Sequence, residues 1–256
     1  MKWSIVLLFL FLYRYDAGAN PGDTIYRNVR ISFLYRATIF PTEWQQSPIN
    51  ASAEVIDGNE IQRSSLISIK ALSKYPPELL RLNLRTIYWV RKMTFYNVGY
   101  GGTNSSFALY LTNDGEKLGY TDNYLEQTFH HEFSSILLRN YPAFLDTMAW
   151  KAANDPGFRY NDPEDGVGAI RNNASSQDLD TSISSKGLLT QYAMSSIEND
   201  VNTFAQNLFT PSTGFWEIVE RYPRIKRKLQ LMILFYNRIH PLFTENYFRR
   251  FNRVKS

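Results

Sequence analysis

The sequence contains no cysteine, and this absence excludes two kinds of site. Without thiols, neither a disulfide framework nor a metal site with thiolate ligands can form. Histidine is scarce as well, because His130, His131 and His240 are the only three in the chain. Any metal site with imidazole ligands must therefore be built from these residues.

Long apolar runs are lacking beyond the first residues, so we expect the mature protein to be soluble. A basic start at Lys2 is followed by a short apolar run over 5–13 and by the small residues Ala17 and Ala19. This pattern predicts a signal peptide over 1–19 and a secreted or periplasmic protein. An uncleaved membrane anchor is the alternative. Lipid attachment is excluded because no cysteine follows.

The chain has 256 residues, of which 44% are hydrophobic and 15% aromatic, which suits one domain over 20–256. We divide it into a core over 60–210 and a basic helical C-terminal part over 211–256. The net charge is +4, and between Arg221 and Lys255 ten Lys or Arg residues accompany one acid, Glu245. This segment could bind an anionic surface, or it could be a solvated helix face. No motif typical of nucleic-acid recognition is present, so we expect no nucleic-acid partner.

Periodicity predicts the order of the elements. Alternating or β-branched runs predict strands, and apolar residues at helical spacing predict helices. Glycines favour a turn over 100–104, and a polar stretch favours a long loop over 154–185. The predicted strands are 29–33, 86–90 and 107–111, and the predicted helices are 64–74, 78–84, 122–138, 195–208, 215–221 and 224–238.

The predicted helix over 122–138 contains part of a zinc-peptidase motif. In the H-E-x-x-H pattern, two histidines four residues apart face the same side of a helix and bind one Zn²⁺, while the glutamate activates the bound water. His131 and Glu132 match the pattern, but Ser135 stands where the second histidine would be. His130 lies about 100° around the helix from His131, so both rings cannot reach one ion. His240 precedes Pro241 in the basic segment and is a poor candidate.

Several motifs in order resemble one known family. The chain resembles the zinc-binding metallopeptidases of bacterial envelopes, which are zincins with a glutamate ligand. The resemblance implies an α+β fold in which a small mixed sheet packs against the helix that bears His131, with a mainly helical C-terminal part. It rests on Lys74-Tyr75-Pro76-Pro77-Glu78-Leu79-Leu80, Tyr100-Gly101-Gly102, Thr128-Phe129-His130-His131-Glu132-Phe133, and Gln191-Tyr192-Ala193-Met194-Ser195-Ser196 followed by Glu198-Asn199-Asp200-Val201.

The resemblance also implies a role for each site residue. His131 corresponds to the first zinc ligand, Glu132 to the general base and Glu198 to the third ligand. Tyr192 corresponds to a tyrosine that hydrogen-bonds the tetrahedral intermediate, and Ser135 occupies the position of the second ligand. A serine hydroxyl is a poor ligand beside an imidazole, so we expect weak or absent zinc binding.

The sequence therefore predicts a secreted metallopeptidase homologue with impaired catalysis that binds a peptide or a protein. Two alternatives stay open. One is an active zinc metallopeptidase with an atypical ligand set, and the other is a non-enzymatic envelope binding module that uses its basic C-terminal helix.

Overall fold

A computed structural model describes residues 23–33, 39–161 and 166–252. The predicted signal peptide over 1–19 lies outside these residues. The strands are β1 (Thr24–Tyr26), β2 (Val29–Ser32), β3 (Ser52–Glu54), β4 (Thr86–Val90), β5 (Lys92–Phe95), β6 (Val98–Gly99), β7 (Gly102–Asn104) and β8 (Ala108–Thr112). The helices are α1 (Gly58–Ser73), α2 (Pro77–Asn83), α3 (Asp122–Asn140), α4 (Thr147–Ala152), α5 (Val167–Arg171), α6 (Thr181–Ser184), α7 (Ile197–Phe209), α8 (Phe215–Arg221), α9 (Pro223–Ile239) and α10 (Glu245–Arg249).

The main sheet is mixed and, within the described residues, has five strands in the order β1-β2-β4-β8-β7. The central strand β4 runs parallel to both β2 and β8, whereas β7 pairs antiparallel with β8 at the edge. A second sheet in the order β3-β5-β6 lies beside it. The fold class is α+β with a small mixed sheet, as the resemblance implies.

Side chains alternate across the main sheet, so each face packs against a different cluster. Ile87 and Trp89 of β4 are buried in the large core that includes α1, α3 and α7. On the opposite face, Tyr88 of β4 stacks on Tyr110 of β8 with ring centroids 5.2 Å apart. Tyr110 also contacts Phe40 in a smaller apolar cluster. The sheet is therefore covered on both faces.

Helix α3 lies in the middle of the large core. Thr121 caps its first turn by accepting a hydrogen bond from the Tyr124 N–H at 3.2 Å. Phe129, Phe133 and Ile136 are fully buried, at the spacing that predicted the helix. The opposite side of α3 packs along α7, which Ser196 caps in the same way. This pairing brings residues of two helices to one site.

Helices α8 to α10 form the mainly helical C-terminal part and pack on the end of α7. The ring of Phe209 in α7 contacts Phe248 of α10 and Tyr236 of α9, at centroid distances of 5.1 and 5.2 Å. Among the described residues, no helix combines the length and apolar character that a membrane crossing needs.

The structure differs from the sequence prediction in several segments. Helix α1 begins at Gly58 rather than at residue 64, and α4 and the second sheet were not predicted. The predicted turn over 100–104 includes strand β7, because two glycines allow the backbone to lie flat against α3 rather than to reverse direction. The predicted loop over 154–185 contains the short helices α5 and α6. Asp180 caps α6 by accepting the Ser182 N–H at 2.8 Å, a local signal that composition alone obscures.

Candidate functional site

His131 lies on the side of α3 that faces α7, and contacts from α7 fix its ring. Its Nδ1 lies 2.9 Å from Gln206 Oε1, and its Nε2 lies 3.4 Å from Asn199 Oδ1. We assign the proton to Nδ1 because the shorter contact has normal hydrogen-bond length. Tyr192 stacks on the imidazole with ring centroids 5.9 Å apart. The ring is therefore held by a hydrogen bond at Nδ1 and by stacking on one face.

Glu132 is the next residue on α3 and faces strand β7. Its Oε2 accepts a hydrogen bond from Asn104 Nδ2 at 2.7 Å, and Arg139 donates to the side-chain oxygen Asn104 Oδ1. Burial raises the pKa of Glu132. The charge of His131 and the hydrogen bond from Asn104 partly offset this rise. The carboxylate is thus connected to the edge strand by a single amide.

Gly102 brings the backbone of β7 against this carboxylate. A Cβ at Gly102 would lie 2.6 Å from Thr128 Cγ2 and 2.9 Å from Glu132 Cγ, which is closer than atoms can approach. Any other residue would have to displace these side chains or hold the strand away from α3. The glycine therefore favours the close contact between β7 and the site helix.

A cleft of about 220 Å³ opens above these residues. His131, Glu132 and Tyr192 line it together with β7 and with residues of the segment after α5. Burial raises the pKa of the Tyr192 phenol, so this hydroxyl stays protonated and can donate a hydrogen bond. The three predicted site residues thus share one polar cleft.

The other two predicted residues, Ser135 and Glu198, line a different cavity. Ser135 Oγ accepts a hydrogen bond from Asn202 Nδ2 at 2.7 Å. The cavity measures about 360 Å³, and Leu138 and Leu145 contribute to its mostly apolar wall. The predicted set is therefore divided between two cavities on α3, and the ligand roles of Ser135 and Glu198 stay predictions.

Three contact residues did not emerge from the sequence. Asn199 and Gln206 face His131 from α7, and Asn104 faces Glu132 from β7. Asn199, Asn202 and Gln206 are spaced so that they lie on one side of α7. This periodicity of amide side chains could have indicated Asn199 and Gln206, but not Asn104.

The donors present do not fit a zinc site with two imidazoles and a carboxylate. Within the described parts of the chain, no three His, Cys, Asp or Glu side chains are grouped so that they could hold a metal ion. His131 provides one free ring nitrogen, while the Ser135 hydroxyl is bonded to Asn202. No reaction step through zinc follows from this arrangement.

The remaining histidines have partners elsewhere. His130 is fully buried, and its Nδ1 lies 2.8 Å from the Tyr75 hydroxyl. Burial lowers the pKa of His130 to about 4, so the ring is neutral. His240 Nε2 lies 3.0 Å from Glu78 Oε1 near the surface. Neither ring is directed at His131.

A buried ion pair joins Asp200, the residue after Asn199 on α7, to Lys228 of α9. Asp200 Oδ2 accepts hydrogen bonds from Trp150 Nε1 at 2.8 Å and from the Tyr160 hydroxyl at 2.7 Å. Lys228 Nζ of α9 lies 2.5 Å from the same oxygen, and both charged side chains are fully buried. Burial lowers the pKa of Lys228. The cluster links the first turn of α7, where Asn199 lies, to the C-terminal helices.

Comparison with known proteins supports the fold. No family model and no curated protein matches the sequence. Among solved structures, the chain is similar to a protein from Bacteroides caccae ATCC 43185 described as a putative zinc-binding metallo-peptidase. The TM-score is 0.56 at 15% sequence identity, and the match covers 88% of this chain and 85% of the other. The chain therefore has a metallopeptidase-like fold, as the sequence resemblance implies.

Proposed function

We propose that this protein binds an extended peptide segment in the cleft between β7 and α3, and that it is a secreted metallopeptidase homologue with impaired zinc-dependent hydrolysis. The observation that carries the proposal is the position of β7. This strand forms the edge of the main sheet and lies against Glu132, beside the cleft that His131 and Tyr192 also line.

The backbone of β7 supports peptide binding because half of its polar groups do not face β8. Gly101 O accepts from the Thr112 N–H, and the Ser105 N–H donates to Ala108 O, each at 2.9 Å. Since paired groups alternate along an antiparallel strand, Gly102 and Asn104 direct their N–H and C=O groups outward. An extended peptide can add to such an edge through main-chain hydrogen bonds.

The side chains around the cleft can orient a bound peptide. Glu132 offers a carboxylate oxygen as an acceptor for a peptide N–H, and the protonated Tyr192 hydroxyl can donate to a peptide carbonyl. Both groups are held by their neighbours, Glu132 by Asn104 and Tyr192 by its stacking on His131. Fixed groups of this kind lower the entropic cost of binding.

The contacts of Ser135 support the proposal that zinc-dependent hydrolysis is impaired. Its hydroxyl stands in place of the second imidazole and is engaged by Asn202, while His130 and His240 have other partners. Without a firmly bound ion, water keeps a high pKa and Glu132 has nothing acidic enough to deprotonate. The fold then keeps a peptide cleft without the means to hydrolyse the peptide.

Selection from a phage-displayed library of random peptides, followed by calorimetry with the best synthetic peptide, tests binding. We expect a stoichiometric complex that Gly102→Val weakens by at least about tenfold, since the added side chain displaces β7. Gly58→Val, at the start of α1 and outside the cleft, is the matched control, because a Cβ there meets nothing within 4 Å. Failure to select any peptide, or equal binding by both variants, would refute the proposed site.

Mass spectrometry of the same peptide, incubated with the protein and zinc chloride, tests the impairment. We expect the peptide to stay intact. Cleavage that both a chelator and Glu132→Gln abolish would instead support an active metallopeptidase with an atypical ligand set.

A further inference from the structure

The cleft beside Glu132 is small, and α5 with the segment that follows it forms one wall. The volume of about 220 Å³ lies below the roughly 300–1,000 Å³ of pockets that hold drug-sized ligands. Ile170, Ser175 and Gln177 belong to this wall. The wall is attached beside the site, because the Tyr192 N–H donates to Ser176 O at 3.0 Å. The cleft therefore has room for one side chain or for the end of a chain.

Three glycines bring the backbone close to three polar side chains of the cleft. In each pair, a Cβ on the glycine would lie no more than 2.9 Å from an oxygen atom of its partner. The pairs are Gly101 with Tyr124, Gly102 with Glu132 and Gly166 with Tyr192. All three partners line the same cleft. One carboxylate oxygen and two phenol oxygens are therefore confined to one small space.

Both phenols are protonated and lie near the carboxylate. Burial raises the pKa of Tyr124 to about 12 and raises that of Tyr192 as well, and the charge of Glu132 contributes to both rises. A protonated phenol can accept a hydrogen bond through its oxygen while it donates its own proton. The cleft thus offers three acceptor oxygens to one ligand group.

The charge of the cleft is negative. Among the described residues that line it, Glu132 is the only acid, and there is no lysine or arginine. Asn104 donates to Glu132 Oε2, which leaves Oε1, beside Gly102, for a ligand. The guanidinium of Arg139 donates to Asn104 Oδ1 instead of to the carboxylate. Because a carboxylate that is removed from water without a cation is unfavourable, a cationic ligand group would stabilise this arrangement.

A primary ammonium group matches this set of acceptors. It carries one positive charge and three N–H donors, and it has no acceptor of its own. A guanidinium is larger and planar, with five donors in a fixed fork. A ligand carboxylate would be repelled by Glu132, since like charges in one site oppose each other. The chemistry of the cleft therefore favours an ammonium over the other charged groups of a peptide.

We infer that the cleft between β7 and α3 is a pocket for a primary ammonium group, which donates to Glu132 Oε1 and to the hydroxyl oxygens of Tyr124 and Tyr192. The inference rests on the proposed function and deepens it, because the ammonium belongs to the bound peptide. Either a lysine side chain or the α-amine at the start of the peptide supplies the same group.

NMR titration of the unmodified protein with n-butylammonium chloride tests the inference without a peptide. Its neutral counterpart, n-butanol, has the same length, and EDTA in all samples excludes a metal ion as the bound cation. We expect saturable shifts at the Gly102 and Tyr192 amides, with binding at least about tenfold tighter than that of n-butanol, since hydrogen bonds to charged groups are the stronger ones. Equal affinity for the two compounds, or shifts elsewhere only, would overturn the inference.

Two variants with the same change in net charge assign the pocket to its carboxylate. Glu132→Gln should weaken n-butylammonium binding at least about tenfold, because the amide carries no charge. Glu217→Gln removes an exposed acid outside the cleft and should leave binding unchanged. Equal effects of the two substitutions would contradict a specific pocket. The comparison of the two compounds stands even if Glu132→Gln does not fold.

Acetylation of the selected peptide distinguishes the two sources of the ammonium. The peptide is acetylated at its α-amine, at its lysine side chains, or at both, and each form is titrated by calorimetry. We expect at least about a tenfold loss of affinity when the group in the pocket is acetylated, which identifies that group. If the fully acetylated peptide binds as tightly as the free one, the inference is wrong and the peptide site stands. If no peptide is selected, the proposed function is wrong, and the n-butylammonium titration still decides the inference.

Discussion

Asn104 donates from Nδ2 to the carboxylate of Glu132 across 2.7 Å and so joins the edge strand to the site helix. This bond connects the part of the fold that can add a peptide strand to the acid within the cleft. Because Arg139 donates to the same amide from the other side, Asn104 also links Glu132 to a positive charge. Two hydrogen bonds therefore join strand β7, the Glu132 carboxylate and the Arg139 guanidinium through the Asn104 amide.

The raised pKa of Glu132 predicts a pH-dependent stability. Its folded pKa lies above the ordinary value of 4.5 because of burial. For a carboxyl group with a raised folded pKa, the stability it contributes is present below the unfolded pKa and is lost as the pH rises through the folded value. Glu132→Gln should therefore gain stability relative to the unmodified protein as the pH rises above 4.5. Urea unfolding at several pH values measures this difference, and a constant difference across the range would contradict the expectation.

The buried pair Asp200–Lys228 predicts that the double substitution costs less unfolding free energy than the loss of Lys228 alone. Lys228→Met leaves Asp200 buried without its cation, and such losses cost about 3–5 kcal/mol of unfolding free energy. Asp200→Asn combined with Lys228→Met removes both charges and should recover most of that loss. Urea unfolding of the single and double variants gives the coupling. A loss below about 1 kcal/mol for Lys228→Met, as is typical of exposed pairs, would show that the pair is not desolvated.

Gly102 predicts a local steric effect on stability. Gly102→Ala should destabilise the fold by about 1–3 kcal/mol, because its Cβ would collide with Thr128 and Glu132. Gly99→Ala, in strand β6 of the second sheet, should have little effect, since the space around that position is open. Thermal unfolding of the two variants makes the comparison. Equal Tm values would indicate that β7 does not lie against α3.

The basic C-terminal segment predicts weak association with anionic surfaces. Lys226 and Arg249 pair with Glu220, and Lys228 is buried against Asp200, so several of its charges are engaged internally. Co-sedimentation with phosphatidylserine vesicles should show no binding at about 0.15 M salt, where the Debye length is about 8 Å. Binding that persists at this salt concentration would favour the alternative of an envelope binding module.

Elements with strong local patterns were predictable from the sequence. The strand at 86–90 and the helix at 215–221 have the predicted bounds, and α3 begins at Asp122 as predicted. In these segments, β-branched or helically spaced apolar residues and local caps specify the structure without help from distant residues.

The site was only partly predictable, because it depends on how α3 and α7 are oriented against each other. The motif identified His131 and Glu132. The spacing of the α7 amides puts Asn199 on a polar side of that helix, but it does not show that this side faces the imidazole. Strand β7 was hidden for a similar reason. Its glycines favour a turn locally, whereas the extended strand depends on its pairing with β8 and on its close approach to Glu132.

Hydrogen exchange at the backbone amides of Gly102 and Asn104 tests peptide binding on β7 most directly. These N–H groups point outward in the free protein, so we expect fast exchange that slows by at least about tenfold when the selected peptide is bound. The Ser105 N–H, which donates to Ala108 O, serves as the internal reference and should change little. Unchanged exchange at both Gly102 and Asn104 in the saturated complex would contradict the account.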